Sequence, residues 1–173
     1  MVYYRHKHDT DGSCSLMGKQ AEQRFVECLS GLGFLFEPAT LEGQFNHKDF
    51  ALWFRGSVDV KSRKRIRRGD SESQDDYVWI EFVNGRGRKG WLHGKATWIG
   101  FETATGFVVV DRTNLVSLCN ARCDLSGESV ERADQALYKL YRRGMCELSL
   151  IKLDDLYTIP HIIINTKGET THA

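Results

Sequence analysis

No stretch of this chain approaches the roughly 18 consecutive apolar residues of a membrane-crossing helix. The charged opening Arg5-His6-Lys7-His8-Asp9 is not followed by the apolar core of a secretion signal. A protein of the cytoplasm or another intracellular compartment, with no membrane partner, is expected. Cysteine is sparse and odd in number, five residues, which fits a reducing compartment better than a disulfide framework. Cys119 and Cys123 are four apart, but no second pair and no histidine at ligand spacing complete a zinc site. The chain also lacks a Walker motif, a paired-glycine dinucleotide fingerprint and the serine nucleophile elbow, which argues against an NTPase, a nucleotide-cofactor enzyme and a serine hydrolase. An excess of one charge is missing too: the net charge is +1, so the sum says nothing about a nucleic-acid partner.

What is present is enough apolar material, 41% of 173 residues, to bury one core. The sequence is read as a flexible arm over residues 1–17 followed by a single domain over 18–173. From Lys19 to about Ser30, Ala21, Phe25, Cys28 and Leu29 recur at helical spacing, and Gly31 and Gly33 supply a stop. Glu22 sits at the inward-leaning margin of that helix, either as an ordinary boundary residue or as a carboxylate that a cation reaches. Short strands are predicted at Phe34–Phe36, Asp49–Phe54, Ser57–Arg63, Tyr77–Val83, Trp98–Phe101, Phe107–Val110 and Leu148–Leu153, with a helix over Val130–Arg143. Helix, strands, helix and strand imply an α/β arrangement in which a mixed sheet is flanked by helices.

The chemistry is concentrated in His47-Lys48-Asp49 and Val58-Asp59-Val60-Lys61. Strand alternation sends Asp59 and Lys61 to one face and the two valines to the other. A divalent metal held by Asp49 and Asp59 would polarise a phosphate oxygen and acidify a water, and Lys61 would orient that water or offset transition-state charge. A regular hairpin turning at Arg55-Gly56-Ser57 sets Asp59 opposite Trp53, however, and leaves Asp49 about 13 Å further along at roughly 3.3 Å per residue. That register demands a bulge or bend to reunite the aspartates.

Positive charge gathers beside this strand. Lys61, Arg63, Lys64, Arg65, Arg67 and Arg68 fall close together, and Arg86, Arg88 and Lys89 occupy a glycine-rich loop. Such clustering fits a phosphate-facing track for DNA, with Lys95 as a further phosphate contact. The competing account is a solubilising run balanced by Asp70, Glu72, Asp75 and Asp76. Glu81 is a candidate extra ligand and His93 a candidate base, while the tryptophans read as packing residues.

At Glu22, Asp49 and Asp59-Val60-Lys61 the sequence resembles the PD-(D/E)XK nuclease superfamily, looking most like its DNA-cleaving branches, including the Holliday-junction resolvase-like group, and the likeness extends over most of residues 18–153. The resemblance implies a restriction-endonuclease-like fold and a Mg2+-dependent DNA endonuclease, with Mn2+ as a substitute. It assigns Glu22, Asp49 and Asp59 as metal ligands and Lys61 as the catalytic lysine. Three features depart from the family pattern: Lys48 stands where the motif has proline, the acid before Lys61 is the less common aspartate, and the chain runs into Arg63-Lys64-Arg65 where a glutamine or similar residue on a following helix is common. The alternative is a catalytically inactive nucleic-acid-binding or structural protein of the same fold. A homodimer paired through Phe107–Val110 and the helix expected at Val130–Tyr141 would place two sites for cuts on opposite strands.

Overall fold

The computed structural model describes residues 13–31, 36–52, 56–67, 69–165 and 170–172. It begins with helix α1 (Ser13–Gly31), which starts earlier than expected and takes in residues 13–17 of the proposed arm. Ala21, Phe25, Cys28 and Leu29 are buried along one face of α1, as their spacing requires. Strand β1 (Phe36–Pro38), helix α2 (Leu41–Phe45), β2 (Phe50–Leu52) and β3 (Gly56–Lys61) follow, then β4 (Tyr77–Val83). Phe34 and Leu35, expected to begin the first strand, lie outside the described residues. A single 3-10 turn at Trp91–His93 leads into β5 (Trp98–Glu102), β6 (Gly106–Asp111) and helix α3 (Arg112–Arg122). The chain closes with β7 (Tyr141–Arg143), β8 (Cys146–Lys152), the short helix α4 (Leu153–Leu156), β9 (His161–Asn165) and β10 (Thr170–His172).

Among the described residues these strands form a mixed seven-stranded sheet in the order β1-β2-β3-β5-β6-β9-β10 and a three-stranded antiparallel sheet in the order β4-β8-β7. Within the larger sheet β3 and β5 run parallel, with Asp59 beside Ile99 and Lys61 beside Phe101. The remaining pairs are antiparallel, and the edges β1 and β10 are three residues each. One face packs against α1 through Val58, Val60, Phe107, Val109 and Ile164. The other face, with Ile99, Phe101, Val108 and Val110, packs against Ile80, Phe82 and Ile151 of the small sheet and Leu115 and Cys119 of α3. The fold is thus a mixed α/β structure whose main sheet has α1 on one side and the small sheet with α3 on the other.

Residues Val130–Arg143 do not form the expected helix. They hold a 3-10 turn at Ala133–Gln135, isolated bridges from Val130 to Tyr141 and from Leu137 to Leu150, and then β7. The buried Ala136 and Leu140 suit a helical spacing of four, but four is also two periods of an extended chain, and the left-handed Tyr138 (φ 55°) breaks any helix between them. Strand β6 is buried along Phe107–Val110 within this chain's own core. That strand therefore offers no free apolar face for pairing two subunits, while Val130, Leu137 and Tyr141 of the other segment are half-buried.

Phe25 ties α1 to the sheet. Its ring meets Phe107 edge-on at 4.9 Å and stacks on Phe50 at 6.0 Å, and Gly100 lies beneath it, where a Cβ would be 3.5 Å from the ring. Truncating Phe25 to alanine should cost about 3–5 kcal/mol, read as a lower midpoint in urea unfolding; a loss below about 1 kcal/mol would contradict this packing role.

Candidate active site

The first carboxylate is placed by the way α2 ends. Thr40 caps its start by accepting the Gly43 N–H at 3.2 Å. At its end the His47 N–H donates to the Gln44 carbonyl and the Lys48 N–H to the Gly43 carbonyl, with His47 left-handed at φ 56°. This is the Schellman arrangement, with histidine in the place glycine usually takes. It reverses the chain so that Asp49 emerges at the head of β2, fixed by its own N–H to the Val58 carbonyl and by the Ala39 N–H to its carbonyl, both 2.8 Å.

The hairpin register differs from the expected one by four residues. Phe50 pairs with Val58, Ala51 with Ser57 and Leu52 with Gly56, and just before this ladder the Asp49 N–H meets the Val58 carbonyl, which brings Asp49 beside the Asp59 end of the pairing. Trp53, the expected partner of Asp59, lies outside the described residues along with Phe54 and Arg55. The reason for the shift is Gly56, which is the first residue of β3 and not part of the turn. Its φ of 118° and its close packing on Thr97 suit glycine alone. The expected separation along the strand vanishes, and with Val58 facing both Phe50 and the Asp49 N–H the ladder is irregular at the head of β2, where the two aspartates meet.

Asp59 is 3% exposed. Its Oδ1 accepts from Lys61 Nζ at 2.5 Å, while Oδ2 is buried without a hydrogen-bond partner. Asp49 Oδ2 accepts the Val60 N–H at 2.6 Å. Burial, and then the Asp59 charge, push the Asp49 carboxyl up to about 7. Glu22 is likewise pushed up to about 7, first by burial and then by Asp49, with Lys61 and Lys19 pulling the other way. Burial raises Asp59 as well, against the pull of Lys61. A protonated Asp49 would donate to Asp59, so Oδ2 gains a partner only when a proton or another cation is supplied.

Two further residues frame the cluster. Lys61 Nζ stands 4.9 Å from the centre of the Trp91 ring, a cation–π contact that seats the ammonium. The Trp91 N–H donates to Glu81 Oε1 at 3.3 Å, and the Glu81 charge is felt at Asp59. The sequence assigns Trp91 to packing alone, and it does pack, at 8% exposure; its second role depends on the small sheet folding back over β3, which no local pattern announces. His93 stays apart, its ring 6.3 Å from Phe82 and its proton affinity lowered by burial, Lys89 and Arg112 and not by the carboxylates.

The basic residues divide. Arg63 pairs with Asp75 at 2.6 Å and Arg67 with Asp134, while Arg65 donates to the Asp70 carbonyl. Lys64 is half-buried, Arg86, Arg88, Lys89 and Lys95 are exposed, and Arg68 lies outside the described residues. The stretch after Lys61 is thus partly neutralised by acids, as the solubilising account expects, while the loop at 86–89 is open to solvent.

Among the described residues no three His, Cys, Asp or Glu side chains are gathered as a ready metal cage. A magnesium-type ion does not need one, since it takes one or two carboxylates and completes its octahedron with water and phosphate oxygens. The orphaned Asp59 Oδ2 beside the Asp49 carboxyl fits that requirement. Comparison with protein-family profiles, with curated proteins and with solved structures finds no match to this chain.

An amide at position 49 keeps an acceptor for the Val60 N–H and offers Asp59 a permanent donor. Because the folded-state Asp49 holds its proton up to about 7 and the unfolded one only to about 4, wild-type stability should fall as pH rises between those values. Asp49→Asn should therefore gain on wild type across that window, reaching about 3–6 °C in melting temperature at pH 8 without divalent metal. Melting curves from pH 4 to 8 that show no growing gap would refute the shared-proton arrangement.

Proposed function

We propose that this chain is a divalent-metal-dependent deoxyribonuclease of restriction-endonuclease-like fold, cutting DNA phosphodiester bonds internally. The observation that supports the reading is the gathering of three groups at the head of β2: the Asp49 carboxylate on the Val60 N–H, the buried Asp59 beside it, and Lys61 bonded to Asp59. Glu22, Asp49 and Asp59 all have carboxyls pushed up by burial first, Glu22 further by Asp49 and Asp49 further by Asp59, with the Lys61 charge pulling each of the three back down. Perturbed carboxylates of this kind concentrate at functional sites.

Asp49 and Asp59 would hold a magnesium or manganese ion, with Glu22 at the margin. When bound, such an ion supplies Lewis-acid stabilisation of phosphate charge and a water acidic enough to attack. The chain's own groups do the rest. Lys61, fixed between the Asp59 carboxylate and the Trp91 ring, keeps a positive charge where the scissile phosphate gains negative charge. The Lys61 ammonium can also orient the attacking water by hydrogen bonding. The buried walls of the site, Trp91 and Phe101, limit bulk water and so strengthen these interactions.

The rival reading is a non-catalytic nucleic-acid-binding protein, favoured by the lack of a three-donor cage among the described residues and by the direct ion pair between Asp59 and Lys61. Cleavage of supercoiled plasmid separates the two. With Mg2+ or Mn2+ the wild type should convert it to nicked and linear forms, and Asp59→Ala or Lys61→Met should lower the rate at least about 100-fold with the fold retained. Undiminished cutting by Asp59→Ala would remove the assignment; no cutting by wild type with either metal would favour the rival.

A further inference from the structure

Two basic segments far apart in sequence meet at one end of the small sheet. The first is the loop after β4, with Arg86, Arg88 and Lys89; the second is the end of β7, with Arg142 and Arg143, and the turn that leads from it into β8. Antiparallel pairing brings them side by side, since Val83 lies across from Glu147 and Arg143 from Cys146. A Cβ at Gly87 would stand 3.6 Å from the Met145 sulfur, so the loop and the turn touch. Residues 84–90 and 141–146 contain no acid. The nearest acid along the chain, Glu147, pairs with Arg142 at 3.0 Å.

Both segments are held in shape before any ligand arrives. Asn84 Oδ1 accepts the Arg86 and Arg88 N–H groups, and its side-chain amide donates to the Lys89 carbonyl. Gly144, at φ 60°, opens a two-residue turn of the kind that joins twisted strands, with Met145 at the tip and 59% exposed. Met145 thus projects an apolar side chain between cations that can supply the charge for binding a polyanion.

The geometry points to a docking element for duplex DNA, in which the β7–β8 turn enters the major groove and the Arg86–Lys89 loop rests on the flanking phosphates. This deepens the nuclease reading, on which it rests, by naming a double-stranded substrate. A two-stranded ribbon matches the width of the B-form major groove, where Arg143 can reach base acceptors and Met145 a thymine methyl. The A-form major groove of duplex RNA is too deep and narrow to admit it. Arg88 and Lys89 then serve register and affinity through the backbone.

The test is fluorescence anisotropy with the full chain, without divalent metal so that cleavage plays no part, using one sequence as duplex DNA and as duplex RNA across a salt series. The triple variant Arg88→Ala, Lys89→Ala, Arg143→Ala should bind duplex DNA at least about tenfold more weakly, and its slope of log affinity against log salt should be shallower by about 0.9 for each phosphate that the protein no longer neutralises. Met145→Ala should weaken binding several-fold with the slope unchanged. An unaltered slope in the triple variant overturns the docking element, as does duplex RNA bound as tightly as DNA and equally sensitive to it. Plasmid cleavage by the wild type is scored separately, so a protein that binds through the tip yet never cuts would count against the nuclease reading and not against the tip.

Discussion

The pairing of β2 with β3 decides which side chain faces Asp59, and with a side-chain period of two residues a slip by one would turn Asp49 to the opposite face. Short as it is, the ladder of Phe50, Ala51 and Leu52 is pinned from several sides. Phe50 is buried against α1, Gly56 fits tightly on Thr97, and the end of α2 fixes the entry of Asp49. The Lys95 N–H adds a tie from the far side by donating to the Asn46 carbonyl. A few hydrogen bonds thus inherit the rigidity of two hydrophobic clusters.

That rigidity holds together groups that repel. Two carboxyls and a third nearby are kept in a partly dry setting with one lysine among them, and each carboxyl is driven toward its protonated state. A structure selected for stability alone would place an amide or an apolar side chain at one of these positions. The cost is carried by the cores on either face: Phe25, Phe107 and Leu29 on the α1 side, and Phe101, Ile80, Ile151 and Leu115 on the other.

Much of this is legible from residue order. Helix α1 follows from the spacing of Ala21, Phe25 and Leu29, and β4 begins and ends where its aromatic and branched residues do. The turn between β5 and β6 at Gly106 is equally readable, because its φ of 155° is a glycine property. The register of β2 is not, since Arg55-Gly56 looks like a turn and only the contact of Gly56 with Thr97, some forty residues on, shows it to be strand. The segment at 130–143 misleads for a related reason: spacing by four residues does not separate a helix from an extended chain docked on β8. Trp91 acquires its place over Lys61 through tertiary folding, and Arg142 and Arg143 join the basic loop by strand pairing across some fifty residues, beyond the reach of any local pattern.

The edges of the main sheet bear on how this molecule can meet others. A long exposed edge strand invites a foreign strand to extend the sheet, the usual start of runaway polymerisation. Among the described residues the outermost strands β1 and β10 are three residues each, and β1 ends in Pro38, which has no N–H to donate. Such stubs offer a newcomer too few hydrogen bonds to outweigh the entropy of ordering it. The main sheet thereby gives little foothold for growth along these borders, while the basic tip of the small sheet stays open to a partner of another kind.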